Sequence, residues 1–144
     1  KEQFRRKKSE RTPLWIPQKT IKNILIIDDE EDLCWLLKNA LLAKGYKVWT
    51  ANTLSHGIVL LDLKPDLIFL DLKLPDGDGM EILPVIKKKT PESMVVIISA
   101  YGSMDRMADA NRKGVHGFID KPFTEEKIIH TLKQFQKGNA KTHG

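Results

Sequence analysis

Ile21-Lys22-Asn23-Ile24-Leu25-Ile26-Ile27-Asp28-Asp29-Glu30 is the stretch on which the reading of this chain turns. Residues 21–27 form an apolar, β-branched run without strict alternation, which predicts a strand buried on both faces. Three acidic residues follow without a break. Beyond them Leu33, Leu36, Leu37, Ala40 and Leu41 recur at helical spacing and stop at Gly45. Residues 31–44 are therefore predicted helical, with those five side chains on the core face. Strand, acidic turn and helix make one β–α unit.

The pattern repeats outward from that unit. Short strands are predicted over 46–50 and 115–119, and continuously apolar ones over 67–70 and 94–98. Helices are predicted over about 54–63, from the loop 74–79 to about 89, over 104–112, and from a Thr124 cap to about 137, where Glu125 and Glu126 suit the first turn. Pro84 should kink or delay the third helix. Five β–α units with short connections imply a single doubly wound α/β domain, a five-stranded parallel sheet covered on both faces by five helices. Residues 21–138 make that domain, residues 1–20 a basic N-terminal arm or linker, and residues 139–144 a frayed tail.

Composition agrees with a soluble globular protein. Of 144 residues, 41% are hydrophobic and 30% charged. No apolar run reaches the roughly 18 residues that a membrane span needs. The single cysteine, Cys34, excludes a disulfide framework and a cysteine-based zinc site and suits a reducing cytosol. The start lacks the apolar core of a signal peptide, and Lys1 in first place suggests a processed or excised piece. The net charge of +5 resides in the arm, where seven Lys/Arg face Glu2 and Glu10, while the other 124 residues hold 17 of each sign. The arm reads as a solvated linker or the end of an upstream segment. Arg5-Arg6-Lys7-Lys8 and the apolar Leu14-Trp15-Ile16 also admit an anchor for nucleic acid, anionic lipid or an acidic partner.

In open parallel sheets, sites form beyond the carboxyl ends of the strands. There the prediction gathers Asp28, Asp29 and Glu30 after strand one, Asp71 after strand three, Ser99 after strand four, and Asp120 and Lys121 after strand five. Close carboxylates repel each other unless a cation lies between them. Oxygen ligands without Cys or His favour a hard divalent ion, Mg²⁺ first. Phosphoryl transfer to a carboxylate needs this set: one carboxylate as nucleophile, others to hold a metal, a lysine and a hydroxyl for the phosphoryl oxygens. No glycine-rich phosphate loop is present, so the phosphoryl group must come from a donor.

Four segments carry a resemblance: Ile24 to Glu30, Leu70-Asp71-Leu72-Lys73-Leu74-Pro75-Asp76-Gly77-Asp78-Gly79-Met80-Glu81, Val96 to Ala100, and Gly117-Phe118-Ile119-Asp120-Lys121-Pro122-Phe123. In this order and spacing the chain resembles a receiver domain of a two-component response regulator, over residues 21–138. The resemblance implies a flavodoxin-like fold with strand order 2-1-3-4-5. It implies Asp71 as phosphoacceptor, and Asp28, Asp29, Asp71 and the carbonyl of Lys73 as Mg²⁺ ligands. Ser99 and Phe118 would be the switch pair, Lys121 the partner of the acceptor and then of the phosphate, and Lys121–Pro122 a cis bond. The implied protein is a cytoplasmic signal-transduction phosphoprotein, not an enzyme beyond accepting and losing its own phosphoryl group. Its donor would be a histidine kinase or histidine phosphotransfer protein in a phosphorelay. The fourth helix, fifth strand and fifth helix, roughly residues 103–137, would be the responsive face and a homodimer surface. Nucleic acid would be reached only through an output domain outside this chain.

Two other readings compete. A Mg²⁺-dependent phosphatase with an aspartyl nucleophile usually has a second aspartate two residues on, where this chain has Lys73. A regulatory domain of a nucleic-acid-binding protein would need a reading element, and these residues contain no helix-turn-helix. Lys73 and Tyr101 occupy the variable positions beside the acceptor and are expected to slow hydrolysis of the acyl phosphate. Cys34 reads as a small buried apolar residue, and His56, His116, His130 and His143 show no ligand spacing. Turn chemistry accounts for Asp76 and Asp78.

Overall fold

A strand buried on both faces needs apolar side chains at every position, and three of the five strands here have them. The computed structural model describes residues 20–100 and 104–137; the arm up to residue 19, Tyr101 and the tail from 138 lie outside the described residues. The strands are β1 (Asn23–Ile27), β2 (Lys47–Ala51), β3 (Leu67–Asp71), β4 (Met94–Ser99) and β5 (Gly117–Asp120). They form one sheet in the order β2-β1-β3-β4-β5, every neighbouring pair parallel. The helices are α1 (Glu31–Ala43), α2 (Leu54–Leu60), α3 (Leu83–Lys89), α4 (Met104–Arg112) and α5 (Glu125–Lys137). This is the flavodoxin-like arrangement that the family resemblance implied, and the parallel sheet covered on both faces that the alternation of strands and helices implied.

Alternate residues of each central strand feed two separate cores. Leu25, Ile27, Ile68, Leu70, Val95 and Ile97 pack with Leu54 of α2, Leu83 and Ile86 of α3 and Ala110 of α4. Ile24, Ile26, Leu67, Phe69, Val96 and Ile98 pack with Cys34, Leu37 and Leu41 of α1 and Ile128 and Leu132 of α5. The strands read as continuous apolar runs because both of their faces meet helices. Gly57 lets α2 lie close to the sheet: a Cβ there would come within 2.7 Å of Ile27 Cδ1.

Local chemistry sets the helix ends. Thr53 Oγ1 accepts from His56 N and Thr124 Oγ1 from Lys127 N, so both begin helices as side-chain caps. Asp76 also serves the start of α2, accepting from Leu54 N at 2.8 Å and Ser55 N at 3.0 Å. α1 ends at Ala43, and the turn after it passes through Gly45, whose φ of +95° suits a residue without a Cβ.

Three expectations change. Leu36 does not face the core; it is 59% exposed, and Cys34 at 4% takes the inward place with Leu37 and Leu41. The third helix starts late: two-residue strands Lys73–Leu74 and Gly77–Asp78 pair antiparallel, a 3₁₀ turn Gly79–Ile82 follows, and α3 begins with Pro84 in its first turn. Proline lacks an N–H, so it belongs in a first turn and not an interior. The first strand is shorter than its apolar run, because pairing with β2 starts at Asn23, although Ile21 is buried at 3%.

Candidate functional site

The register decides which side chains meet at the carboxyl edge of the sheet. Ile27 lies opposite both Ala51 and Leu70, so Asp28 leaves β1 beside Asp71 at the end of β3. Asp71 pairs with Ile98, and Ser99 with Asp120, which brings the end of β4 and the residue after β5 alongside. Asp28, Asp29 and Asp71 each present an oxygen within 4.8 Å of the others. Asp28 and Asp71 are buried, whereas Asp29 is exposed.

Lys121 ties the cluster together. Its Nζ lies 2.7 Å from Asp28 Oδ2 and 3.4 Å from Asp71 Oδ2, and it also pairs with Glu30. Burial opposes the ammonium, but its close pairing with the Asp28 and Glu30 carboxylates outweighs that, and its pKa is raised. For Asp71, burial is the largest influence and the Asp28 charge the next; together they push its carboxyl up to about 6 against the pull of Lys121. The Lys121–Pro122 peptide is cis.

The backbone holds the two buried carboxylates in different ways. Asp28 Oδ1 accepts from Glu30 N at 2.9 Å, and its carbonyl accepts from Asn52 Nδ2 at 2.9 Å. Asp28 Oδ2 is buried without a well-directed hydrogen bond, so the Lys121 charge at 2.7 Å is its compensation. Asp71 Oδ1 has a long contact, 3.5 Å from Lys73 N. The loop that follows folds back on Asp71: Gly79 N donates to Leu72 O at 2.8 Å, and a Cβ on Gly79 would lie 2.1 Å from the Asp71 carbonyl oxygen. Only glycine fits there.

This donor set suits a divalent cation. It is all oxygen, it carries more negative charge than one lysine balances, and one buried oxygen lacks a directed hydrogen bond. Asp29, Lys73, Pro75, Ala100 and Lys121 border an open cleft of about 410 Å³ over Asp71. Ser99 is fully buried at the end of β4, and Phe118 on β5 is half-buried against the core shared with α2, α3 and α4.

Some features lay beyond sequence reasoning. Glu30 was visible as an acidic residue at a strand end, yet its pairing with Lys121 spans 91 positions. Asp78, read as a turn residue, does accept from Met80 N, but it also holds Arg106 of α4 through two hydrogen bonds of 2.8 and 2.9 Å. His116 Nδ1 accepts from Val95 N, a structural role outside the site.

The sheet order and the acidic carboxyl edge place the chain among flavodoxin-like domains with an open, acid-lined cleft at the carboxyl ends of the strands. Sequence comparison narrows that class. The model of the response regulator receiver domain family matches residues 24–133, and the chain belongs to that family. The nitrogen assimilation regulatory protein NtrX of Azorhizobium caulinodans is 36% identical over 110 residues, which cover 74% of this chain and 24% of that protein. The chemotaxis protein CheY of Listeria monocytogenes is 32% identical over 116 residues, covering 79% of this chain and 98% of that one. The beryllofluoride-activated NtrC4 receiver domain dimer superposes with a TM-score of 0.75 at 36% identity, over 81% of this chain and 98% of that chain. The chain thus spans about a quarter of the length of NtrX and nearly all of CheY. Among the described residues, no helix is long and apolar enough to cross a membrane.

Proposed function

We propose that this receiver domain is a phosphorylation-controlled switch in which Asp71 accepts a phosphoryl group from a histidine kinase or histidine phosphotransfer protein. The observation that carries the reading is the meeting of Asp28, Asp29 and Asp71 within 4.8 Å, with Lys121 alongside. Mg²⁺ is the cation of choice, held by Asp28, Asp29, Asp71 and the Lys73 carbonyl; when bound, it screens the incoming phosphoryl oxygens from the carboxylates. An Asp71 carboxylate oxygen attacks phosphorus, the P–N bond to the donor imidazole breaks, and the imidazole nitrogen keeps the electron pair and takes a proton from water. The product is an acyl phosphate, later hydrolysed by water. Lys73, two residues after the acceptor, slows that step, and the same effect is assigned to Tyr101, which lies outside the described residues.

Lys121 then passes from the carboxylates to the phosphoryl group, and the Ser99 hydroxyl turns to donate to it. Phe118 moves into the space that Ser99 leaves, and α4, β5 and α5 change as a surface. One or two charge-assisted hydrogen bonds, at about 1.5–3 kcal/mol each, shift such a two-state ratio by about tenfold to a thousandfold or more. The same face is the homodimer surface in this reading. The protein acts in the cytoplasm, the domain spans residues 21–138, and residues 1–20 serve as a basic arm or linker. Any output on nucleic acid belongs to a domain outside these 144 residues. Lys73, two residues after Asp71, weighs against a turnover phosphatase.

Incubation with acetyl phosphate and Mg²⁺ is expected to add one phosphoryl group, and Asp71→Asn to add none. An Asp71→Asn protein that gained the same mass on the same time course would refute the assignment. Ser99→Ala is expected to accept phosphate yet respond less, read as a smaller beryllofluoride-induced change in amide exchange over residues 104–137.

A further inference from the structure

Three features lie outside the site itself. The outward face of α1 shows Trp35, Leu36 and Leu42 to solvent. The cleft between Lys44 and the start of α5 has mixed charge and no buried polar group aimed into it. The third feature is the ion pair between Asp78 and Arg106, and the register around it leads straight to the acceptor.

Asp78 is the backbone partner of Lys73 in the small antiparallel pair of strands. Lys73 N in turn contacts Asp71 Oδ1, and the Lys73 carbonyl is the one proposed metal ligand that is not a side chain. The residue after Asp78 is Gly79, whose backbone abuts the Asp71 carbonyl. Arg106 grips Asp78 from α4 with both terminal nitrogens, a planar fork that fixes orientation as well as charge. Asp78 meanwhile keeps its own loop in shape by capping Met80 N. The chain of contacts thus runs from α4 through Arg106 and Asp78 to Lys73 and Asp71. It does not pass through Ser99 or Phe118.

We infer that Arg106 is a positioning residue: through Asp78 it sets the Lys73 carbonyl for the metal, and so couples the placement of α4 directly to metal binding. This rests on the proposed Mg²⁺ site. Coupling of this kind is reciprocal, so whatever moves α4 must alter metal affinity, and metal must restrain α4.

The test is a double-mutant cycle in the full chain with Arg106→Gln, Asp78→Asn and both together. Asn retains an oxygen for the Met80 cap, and Arg106 sits on a half-exposed helix position, so each variant keeps its fold. Mg²⁺ binding by calorimetry is expected to weaken about threefold to tenfold in each single variant, the range for losing a bidentate pair of partial exposure. The double variant should be no weaker than either single one, because the two side chains act as one unit. In metal-free protein, amide exchange at residues 73–78 should quicken in the same variants while exchange in β1 and β3 stays at the wild-type rate. Arg106→Lys should restore part of the affinity. Wild-type affinity and exchange in the single variants, or fully additive losses in the double, would overturn the inference. A wild-type protein that bound no Mg²⁺ would instead overturn the proposed site beneath it.

Discussion

The two ends of the sheet use the same residue type to opposite effect. At the amino edge, Asp66 accepts from Lys22 N at 2.8 Å and Asn23 N at 2.9 Å through one carboxylate oxygen, which fastens the start of β1 to the start of β3. At the carboxyl edge, Asp28 and Asp71 lie buried together, and one lysine must answer both. The first aspartate is matched by donors that fold with it. The second pair is held by the core in a place that suits neither, until a cation joins them. The sheet thus keeps its donor-matched carboxylate at one end and its crowded, buried pair at the other.

Substitutions can break or sharpen that contrast. The largest expected effect is Lys121→Met, which leaves two buried carboxylates without their ammonium and should cost about 3 kcal/mol in metal-free denaturation. Mg²⁺ should return more stability to this variant than to wild type; equal gains in both would argue that the lysine does not balance the pair. Next comes Asp66→Ala, expected to lose about 1–2 kcal/mol, because two backbone donors lose a charged acceptor. An unchanged denaturation midpoint there would erase the difference between the edges.

Asp71→Asn should move the other way and stabilise the metal-free protein by about 1 kcal/mol, since it removes a buried like charge. The sign with pH follows from the raised carboxyl of Asp71. A folded-state value of about 6 against 3.8 unfolded means that the folded chain holds the proton more tightly. The stability that this proton confers is complete below 3.8 and lost as pH rises through about 6. The advantage of Asp71→Asn should therefore grow across that window and level off above it. A gap that narrowed with rising pH would mean that the pull of Lys121 outweighs burial and the Asp28 charge.

Much of this contrast was legible before any coordinates. Continuous apolar runs at 67–70 and 94–98 announced strands covered on both faces, and Asp28 and Asp71, directly after the apolar runs of β1 and β3, marked the site edge. The phase of α1 was not legible. Its sequence, Glu-Asp-Leu-Cys-Trp-Leu-Leu-Lys-Asn-Ala-Leu-Leu-Ala, offers two overlapping apolar stripes. Only the helix's docking against β1 and α5 selects Cys34, Leu37 and Leu41 over Leu36. The grip of Arg106 on Asp78 was hidden for a similar reason: 28 positions separate them, and no local propensity reports how α4 lies against a loop. The delayed start of α3 was half visible, since Pro84 announced an interruption without revealing the 3₁₀ turn before it.

The close approach of Gly79 to the Asp71 carbonyl has a consequence for anyone who would transplant this loop. The segment from Asp71 to Gly79 closes on its own first residue, as a buckle closes on its frame. Residues 72–78 are therefore a measured length rather than a variable connection. One residue more or fewer would slide the bare backbone of Gly79 off its seat and put a side chain against the Asp71 carbonyl. A graft into another parallel-sheet scaffold must carry all nine positions as one block, and a randomised library should spare position 79 before any of the charged ones.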